Sequence, residues 1–379
     1  MPAMIPKERV RTALRRGMPD RVPVFVTLKG SLARKMAREL GYEFKPAAAS
    51  ILENRLSHHE MLTALGNDAV GVGYCYPSDA PVTRRSDGTF SDEWGFIYRE
   101  VANDWGVNLE IVGRPLADIS SARELTRYRF PRVDAPGRWD MAREMIARFG
   151  SHYAIIGMVE LTVFEYAWNL IGLEKFVIDL SYGADYVEPL LDQVMHFNIE
   201  VARTLIGLGA DVILTGDDFG TQGGMLVSPR LWRRYFKDRM RQVFDACRQA
   251  NPEVILAYHS CGSIAPIIPE LIEIGLQALN PIQPKAKDME PASLKAQYGD
   301  RLAFFGGVDI QEVVPFGTVE NVREEVRRRI YELGYDGGYL LAPAHDIQPE
   351  APTANVLAIF DAVREYGQYP LPEVAQWQN

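Results

Sequence analysis

The chain has 379 residues, of which 47% are hydrophobic and 24% charged, the balance of a globular protein with a large core. Its formal net charge of −9 at pH 7 argues against a nucleic-acid or anionic-membrane partner, because either needs a basic face. It has no apolar run of about eighteen residues and no signal-peptide pattern at its start, so we expect a cytoplasmic protein with a small or protein-borne ligand.

Short apolar runs rich in Val, Ile and aromatic residues alternate with longer helical patterns, which is typical of a parallel sheet. Strands are predicted over residues 21–27, 68–74, 153–159, 211–215, 254–258, 277–280, 302–306 and 339–342. Helices are predicted over residues 31–40, 50–65, 173–182, 186–208, 229–250, 264–274, 291–298, 318–333 and 353–367.

Eight strands with interleaved helices predict an α/β fold, a single (β/α)₈ TIM barrel over residues 1–379. An open doubly wound sheet is the alternative, but no GxGxxG motif marks a strand-to-helix turn. Polar-apolar alternation and an Asp-Gly turn in residues 76–112 predict a small antiparallel insertion after the second strand. Residues 369–379 are expected to form a frayed tail.

The three cysteines, Cys75, Cys247 and Cys261, are too few and too scattered for a disulfide framework. Cys247 lies in a helical pattern, where a free cysteine is usually a small buried apolar group. Cys75 fits either the core or the lining of a pocket. Cys261 differs because a histidine lies two residues before it.

Reactive side chains collect where the predicted strands end, the edge at which TIM barrels carry their active sites. Turns and helix caps explain some of these acids and amides, but not two of the six histidines and a free cysteine. The residues at these positions are Lys29, Cys75, Glu160, Asp217, Asp218, His259, Cys261, Asn280, Gln283, Asp309, His345 and Asp346.

The sharpest motif is His259-Ser260-Cys261-Gly262, in which imidazole and thiolate can converge on one tetrahedral zinc if the backbone turns. The structural alternative is a buried histidine and an inert cysteine. His345 ends the eighth predicted strand and is the predicted third ligand, although an exposed loop histidine is the alternative. Water, Gln283, Glu160 or substrate can take the fourth position.

The remaining polar residues are predicted to serve substrate or cofactor. Asp217 and Asp218 can bind substrate, orient a zinc ligand or transfer a proton, and a pair of turn-forming residues is an equal alternative. The acids predicted as catalytic are Glu160, Asp217, Asp218 and Asp309, and the predicted cofactor-binding residues are Lys29, Asn280 and Gln283.

Four segments in this order resemble the uroporphyrinogen decarboxylase superfamily: GDDFGTQGGMLVSP, YHSCGSIAPIIPELIEIGLQALNPIQ, FFGGVDIQ and GGYLLAPAHDIQPEAPTANVLAIFDAVREYG. The resemblance covers roughly residues 150–367 and implies a (β/α)₈ barrel. True decarboxylases carry an arginine-rich W-M-R-Q-A-G-R stretch that grips substrate carboxylates. The corresponding region here reads VPVFVTLKGSLARK, so the resemblance does not extend to uroporphyrinogen as substrate.

The other branch of this superfamily holds zinc methyltransferases that work with corrinoid proteins, among them the methylcobamide:coenzyme M methyltransferases. Their zinc is held by an H-x-C and a C-terminal Cys. His259 and Cys261 match the first part, and His345 replaces the last Cys. This resemblance implies zinc, a corrinoid carried by a partner protein, and a small-molecule methyl donor or acceptor.

The missing thiolate favours demethylation of an O-methyl donor over methylation of a thiol. The first alternative is a zinc lyase or hydrolase that acts without a corrinoid, and the second is a corrinoid- or tetrapyrrole-binding protein without chemistry. A homodimer is one assembly that the sequence allows.

Overall fold

A computed structural model of the protein describes residues 3–45, 50, 52–79, 82–103 and 106–371. The strands are β1 (Ala69–Val72), β2 (Thr83–Arg84), β3 (Phe90–Ser91), β4 (Ile97–Asn103), β5 (Gly106–Gly113), β6 (Ala154–Glu160), β7 (Val212–Gly216), β8 (Ile255–His259), β9 (Ala278–Asn280), β10 (Ala303–Val308) and β11 (Tyr339–Pro343). The helices are α1 (Pro6–Leu14), α2 (Gly30–Leu40), α3 (His59–Leu65), α4 (Ala122–Leu125), α5 (Asp140–Phe149), α6 (Phe164–Ile171), α7 (Leu173–Tyr182), α8 (Val187–Leu208), α9 (Pro229–Trp232), α10 (Asp238–Ala250), α11 (Ile268–Glu273), α12 (Pro291–Tyr298), α13 (Val313–Phe316), α14 (Val319–Gly334) and α15 (Thr353–Tyr366).

Seven strands form one parallel sheet in the order β1-β6-β7-β8-β9-β10-β11. Every residue of these strands is buried, which explains why they read as continuous apolar runs in the sequence. The curled sheet with its surrounding helices confirms the predicted TIM-like barrel.

The segment predicted as the first strand, residues 21–27, is extended but pairs only through isolated bridges. Val24 pairs with Leu341 in parallel, Arg21 pairs with Gln368 antiparallel, and Leu28, one residue beyond the segment, pairs with Ile347 in parallel. On its other side, side chains replace part of the strand ladder. The Asn67 amide accepts from the Val26 N–H at 2.8 Å and donates to the Val26 carbonyl at 2.9 Å. The Asp68 carboxylate accepts from the Val24 N–H at 2.9 Å. This segment therefore closes the barrel without being a regular strand.

The predicted antiparallel insertion is confirmed as a four-stranded sheet in the order β2-β3-β4-β5. Trp94 attaches it to the barrel by stacking on Tyr166 with ring centroids 4.2 Å apart. A buried ion pair joins Arg138 to Glu93. Of the predicted range 76–112, residues 80, 81, 104 and 105 lie outside the described residues.

Two predicted helices are interrupted. Within 50–65, a 3₁₀ turn over Glu53–Arg55 precedes α3, because His58 adopts a left-handed φ of 64° between them; residue 51 lies outside the described residues. Within 264–274, a 3₁₀ turn over Ala265–Ile267 precedes α11. The predicted helix 229–250 is continuous, with a π-helical segment over Arg233–Lys237 between α9 and α10.

The predicted tail begins with a residue that is held in place. The Tyr369 side chain is buried, and its hydroxyl donates to the Gly334 carbonyl at 2.6 Å. The rest of that prediction, residues 372–379, falls outside the described residues. Within the described part of the chain, no helix combines the length and apolar character needed to cross a membrane.

Candidate metal centre

The register of the parallel sheet brings the predicted site residues to one edge. Gly216 at the end of β7 pairs with His259 at the end of β8, and His259 pairs with Asn280 at the end of β9. Asp218 and Cys261 each follow these paired residues by two positions, so they lie side by side at the carboxyl ends of β7 and β8.

Asp218, His259 and Cys261 are the one group among the described residues whose possible ligand atoms suit a metal ion, all within 4.8 Å of one another. His259 Nε2 lies 3.5 Å from Cys261 Sγ and 3.4 Å from Asp218 Oδ1. Zinc bonds of roughly 2.0–2.3 Å in a tetrahedron place neighbouring ligand atoms roughly 3.3–3.8 Å apart. Both distances from His259 Nε2 match such a tetrahedral edge.

Asn280 fixes which nitrogen of His259 faces this group. The Asn280 Nδ2 group donates to the Phe305 carbonyl at 3.1 Å, so its Oδ1 is the atom 2.7 Å from His259 Nδ1. That oxygen can only accept, so Nδ1 carries the proton and Nε2 is left for a metal. Burial disfavours a charged His259, but the charges of Glu160 and Cys261 and the Asp218 contact outweigh burial and raise the pKa of His259 well above its usual value. A metal that binds Nε2 therefore has to displace a proton from it.

The loops after β7 and β8 touch backbone to backbone. Gly262 has a φ of +73°, and a Cβ there would come within 2.5 Å of the Gly220 carbonyl carbon. A Cβ at Gly220 would lie 2.4 Å from the Cys261 carbonyl oxygen. The Cys261 N–H donates to Asp218 Oδ1 at 2.7 Å, and the Gly262 N–H donates to Gln283 Oε1 at 2.9 Å.

His345 borders the group without belonging to it. Its ring lies edge-on to the His259 ring, with centroids 6.2 Å apart. Its Nδ1 accepts the Asp346 N–H at 2.8 Å. Burial lowers the pKa of His345 to about 4, so the ring is neutral at pH 7.

Glu160 and Arg55 form a buried ion pair on the same edge, with 2.9 Å between Arg55 Nε and Glu160 Oε2. The other Glu160 oxygen, Oε1, is buried without a hydrogen-bond partner in the described part of the chain. Burial opposes the charge of Arg55, but Glu160 and Asp346 outweigh it and raise the pKa of Arg55. Arg55 was not predicted as a site residue, since it lies in the 3₁₀ turn before α3 and does not follow a strand.

Asp217 does not belong to the metal group, which consists of Asp218, His259 and Cys261. It is fully buried, and its Oδ1 accepts the N–H groups of Val163 at 3.0 Å and Glu165 at 2.9 Å at the start of α6. Burial raises the pKa of Asp217 to about 7 despite these bonds. Glu165, which the sequence analysis missed, accepts the Asp218 N–H at 3.0 Å, and burial with the charge of Asp218 raises its pKa well above the usual value.

Asp309 and Gln283 line a cleft beside the metal group. Asp309 Oδ1 accepts the Gln311 N–H at 2.7 Å, and its Oδ2 lies 3.0 Å from Lys285 Nζ. The cleft is small, about 40 Å³, and Gln222 and Ala344 also line it. The half-buried Lys29 occupies the N-cap position of α2, and its N–H donates to the Ile347 carbonyl at 3.0 Å.

The other two cysteines lie apart from this centre. Cys75 is buried with its Sγ 3.8 Å from Met141 Sδ, and burial raises the pKa of its thiol to about 11. Cys247 is fully buried in α10, as its helical pattern predicted.

The fold and the strand-end group of Asp218, His259 and Cys261 define a TIM-like barrel with a candidate metal site. The sequence profile of the uroporphyrinogen decarboxylase (URO-D) family matches residues 113–366. The chain belongs to this family.

Individual relatives show how far the likeness extends. The chain is 22% identical over 366 residues to the methylcobamide:CoM methyltransferase MtbA of Methanosarcina acetivorans, covering 95% of this chain and 98% of that protein. It is 25% identical over 183 residues to the uroporphyrinogen decarboxylase of Coxiella burnetii, covering 48% of each. A solved methyltransferase from Methanosarcina mazei has the same fold, with a TM-score of 0.69 at 23% identity over 96% of this chain and 99% of that one.

Proposed function

We propose that this protein is a zinc-dependent methyltransferase that moves a methyl group between a small molecule and a corrinoid carried by a partner protein. The observation that carries the proposal is the His259 and Cys261 pair, aimed at one point from the end of β8 with a spacing that suits zinc. Full-length similarity to a methylcobamide:CoM methyltransferase supports the same reaction class.

The residues present fit a zinc ion. His259 presents Nε2 because Asn280 holds Nδ1, and Cys261 supplies a thiolate when its proton leaves. Asp218 and His345 are the two candidates for a third protein ligand. Bound zinc supplies Lewis acidity toward the oxygen or sulfur atom that exchanges the methyl group.

The predicted catalytic acids divide by their contacts. Glu160 keeps a buried oxygen without a partner beside the site, which suits a group that orients substrate or holds a proton. Asp217 and Asp309 bond to backbone amides, and we assign them to hold α6 and the loop after β10. Gln283 and Lys29 are proposed contacts for the bound molecule, Gln283 from the cleft wall.

We favour demethylation of an O-methyl donor as the direction of transfer. A centre with a single thiolate is a harder Lewis acid than one with two, and harder centres prefer oxygen. In this direction a reduced corrinoid would accept the methyl group, and the electron pair of the broken carbon–oxygen bond would stay on the substrate oxygen.

Metal analysis and a corrinoid assay test the proposal together. The purified protein should hold about one zinc per chain, and the Cys261→Ala variant should lose it while the matched Cys75→Ala variant keeps it. Mixing the protein with a reduced corrinoid protein and aryl or alkyl methyl ethers should produce the absorbance of methyl-cobalt(III). Full zinc in Cys261→Ala, or turnover of substrate without any corrinoid, would overturn the proposal.

A further inference from the structure

We propose that Asp218 is the third protein ligand of the metal, and that His345 stays off the metal and donates an N–H to an acceptor oxygen of the substrate. This inference rests on the proposed zinc site. It departs from the sequence prediction, in which His345 was the ligand.

The position of Asp218 supports its role as ligand. Its Oδ1 lies 3.4 Å from His259 Nε2, and a carboxylate oxygen has two lone pairs. One of them accepts the Cys261 N–H at 2.7 Å, which leaves the other for a metal. Glu165 fixes the Asp218 backbone by accepting its N–H at 3.0 Å. The carboxylate is thus held beside His259 before any metal binds.

The hydrogen bond that His345 accepts from the backbone argues against its ring as a metal ligand. Nδ1 of the His345 ring accepts the Asp346 N–H at 2.8 Å, so Nδ1 itself carries no proton. The proton must then be on Nε2, which has no lone pair to offer. For His345 to bind the metal through Nε2, the ring proton would have to move to Nδ1. The hydrogen bond from the Asp346 N–H to Nδ1 would then be lost.

The position of His345 next to the metal group allows its N–H to donate a hydrogen bond to a bound substrate. The ring borders the group edge-on, 6.2 Å between centroids from His259. A fixed donor beside a Lewis acid stabilises an atom that gains negative charge. An ether oxygen gains such charge when its carbon–oxygen bond breaks, so the arrangement points to O-methyl ethers as the substrate class.

The charge of the ligands favours the same assignment. With Asp218, one carboxylate and one thiolate give the three protein ligands a charge of −2, which balances the charge of a Zn²⁺ ion. A set of His259, Cys261 and His345 would carry only −1. Asp218 adds the second negative charge through an oxygen, a harder donor than sulfur.

X-ray absorption at the zinc edge of the purified full-length protein tests the ligand set. We expect one sulfur and one imidazole per zinc in the wild type, and an unchanged spectrum in His345→Ala. Asp218→Ala should weaken zinc binding by more than the roughly 10–100-fold that loss of a ligand's hydrogen-bond partner costs. Two imidazoles in the wild type, or zinc loss in His345→Ala, would overturn the inference.

Matched controls separate local from general effects. His196→Ala and Asp300→Ala change exposed residues of the same types and should leave zinc binding unchanged. In the corrinoid assay, His345→Gln keeps an N–H donor and should retain more methyl transfer than His345→Ala. Equal transfer by these two variants would overturn the donor role of His345.

The outcomes also separate this inference from the proposed function. Zinc bound by one imidazole, Cys261 and Asp218, but without methyl transfer to any corrinoid, contradicts the proposed function and supports the ligand assignment. Methyl transfer with two imidazoles on zinc supports the function and contradicts the assignment. Wild-type protein without zinc contradicts both.

Discussion

Asn280 shows how one amide decides the chemistry of its neighbour. It is almost fully buried, bonds the Phe305 carbonyl with one end and His259 with the other, and so selects the imidazole nitrogen that faces the metal group. Its predicted role in cofactor binding becomes, in our proposal, an indirect one exerted through His259.

Replacing Asn280 by alanine should weaken zinc binding by about 10–100-fold, because His259 loses the partner that fixes its tautomer and ring orientation. Titration against a competing chelator measures the affinity. The control Gln193→Ala changes an exposed amide far along α8. Equal affinities of wild type and Asn280→Ala would show that the ring is held by other contacts.

At the residue scale, the sequence predicted the parts of the site that follow strands directly. His259, Cys261 and Asn280 were found because strand ends are recognisable from apolar runs. Arg55 and Glu165 were not, because they lie before α3 and inside α6, and only the folded chain brings them to this edge. Asp218 was predicted to bind substrate, orient a zinc ligand or transfer a proton, but its distance to His259 could not be read from the sequence.

At the scale of elements, the loops after β7 and β8 behave as one unit because their glycines touch. The Gly262→Ala variant should lose about 1–3 kcal/mol of stability from its left-handed φ of +73°. It should also lose zinc, since the added Cβ pushes Cys261 and Asp218 apart. Urea unfolding and metal analysis measure the two effects.

Gly223→Ala is the matched control for this substitution. Gly223 lies in the loop after β7, but nothing comes within 4 Å of a Cβ built there, and its φ is outside the left-handed region. Its stability and zinc content should equal those of the wild type. A Gly262→Ala protein that also equals the wild type would contradict the close contact of the two loops.

The stability of the insertion sheet is expected to depend on pH through Asp92. Burial raises the pKa of Asp92 from 3.8 to about 6, although the carboxylate accepts from Trp94 N–H and the Tyr98 hydroxyl. A raised pKa in the folded state means that the stability from protonated Asp92 is present below pH 4 and is lost as the pH rises through 6.

The Asp92→Asn variant should therefore gain stability relative to the wild type between pH 4 and pH 7. The gain should be at most about 3 kcal/mol, at about 1.4 kcal/mol per pKa unit. Urea unfolding at both pH values measures it. Asp87→Asn, a change at an exposed turn of the same insertion, should show no such gain. If the free energies of unfolding of Asp92→Asn and wild type differed by the same amount at pH 4 and pH 7, the result would contradict the raised pKa of Asp92.

The helices were predicted less accurately than the strands, because single residues interrupt or start helices in ways that the sequence pattern does not show. Apolar runs buried on both faces identify parallel strands directly, as in β6 and β8. A single left-handed residue, His58, interrupts the predicted helix 50–65, and no rule would assign that conformation to a histidine in an amphipathic pattern. Helix α6 was missed because Asp217, 54 residues from Val163, caps its start.

At the scale of the whole molecule, the barrel closes through Asp68. This buried carboxylate bonds the Val24 N–H at 2.9 Å and pairs with Arg21 at 2.8 Å and with Arg9. Counting strands in the sequence predicted eight, and the barrel has seven regular strands with an extended segment in the eighth place. The sequence could not show that side chains would complete the ring.

Asp68→Ala should lower the free energy of unfolding by about 3–5 kcal/mol, because two arginines lose the buried charge that balances them. Urea unfolding of the full chain provides the measurement. The control Asp361→Ala removes a carboxylate from an exposed pair with Arg364 and should change stability by less than about 1 kcal/mol. A similarly small loss in Asp68→Ala would mean that the closure does not depend on this carboxylate.

The contact between Gly220 and Gly262 also limits which changes of length the two loops can accept. A Cβ at either glycine would clash with the backbone of the other loop, so we expect neither loop to tolerate an inserted residue at this contact. The connection from β1 to β6, in contrast, already accommodates a whole antiparallel sheet. A library of variants that seeks binding of other small molecules should therefore diversify that connection and the cleft at Gln283, and keep both glycines.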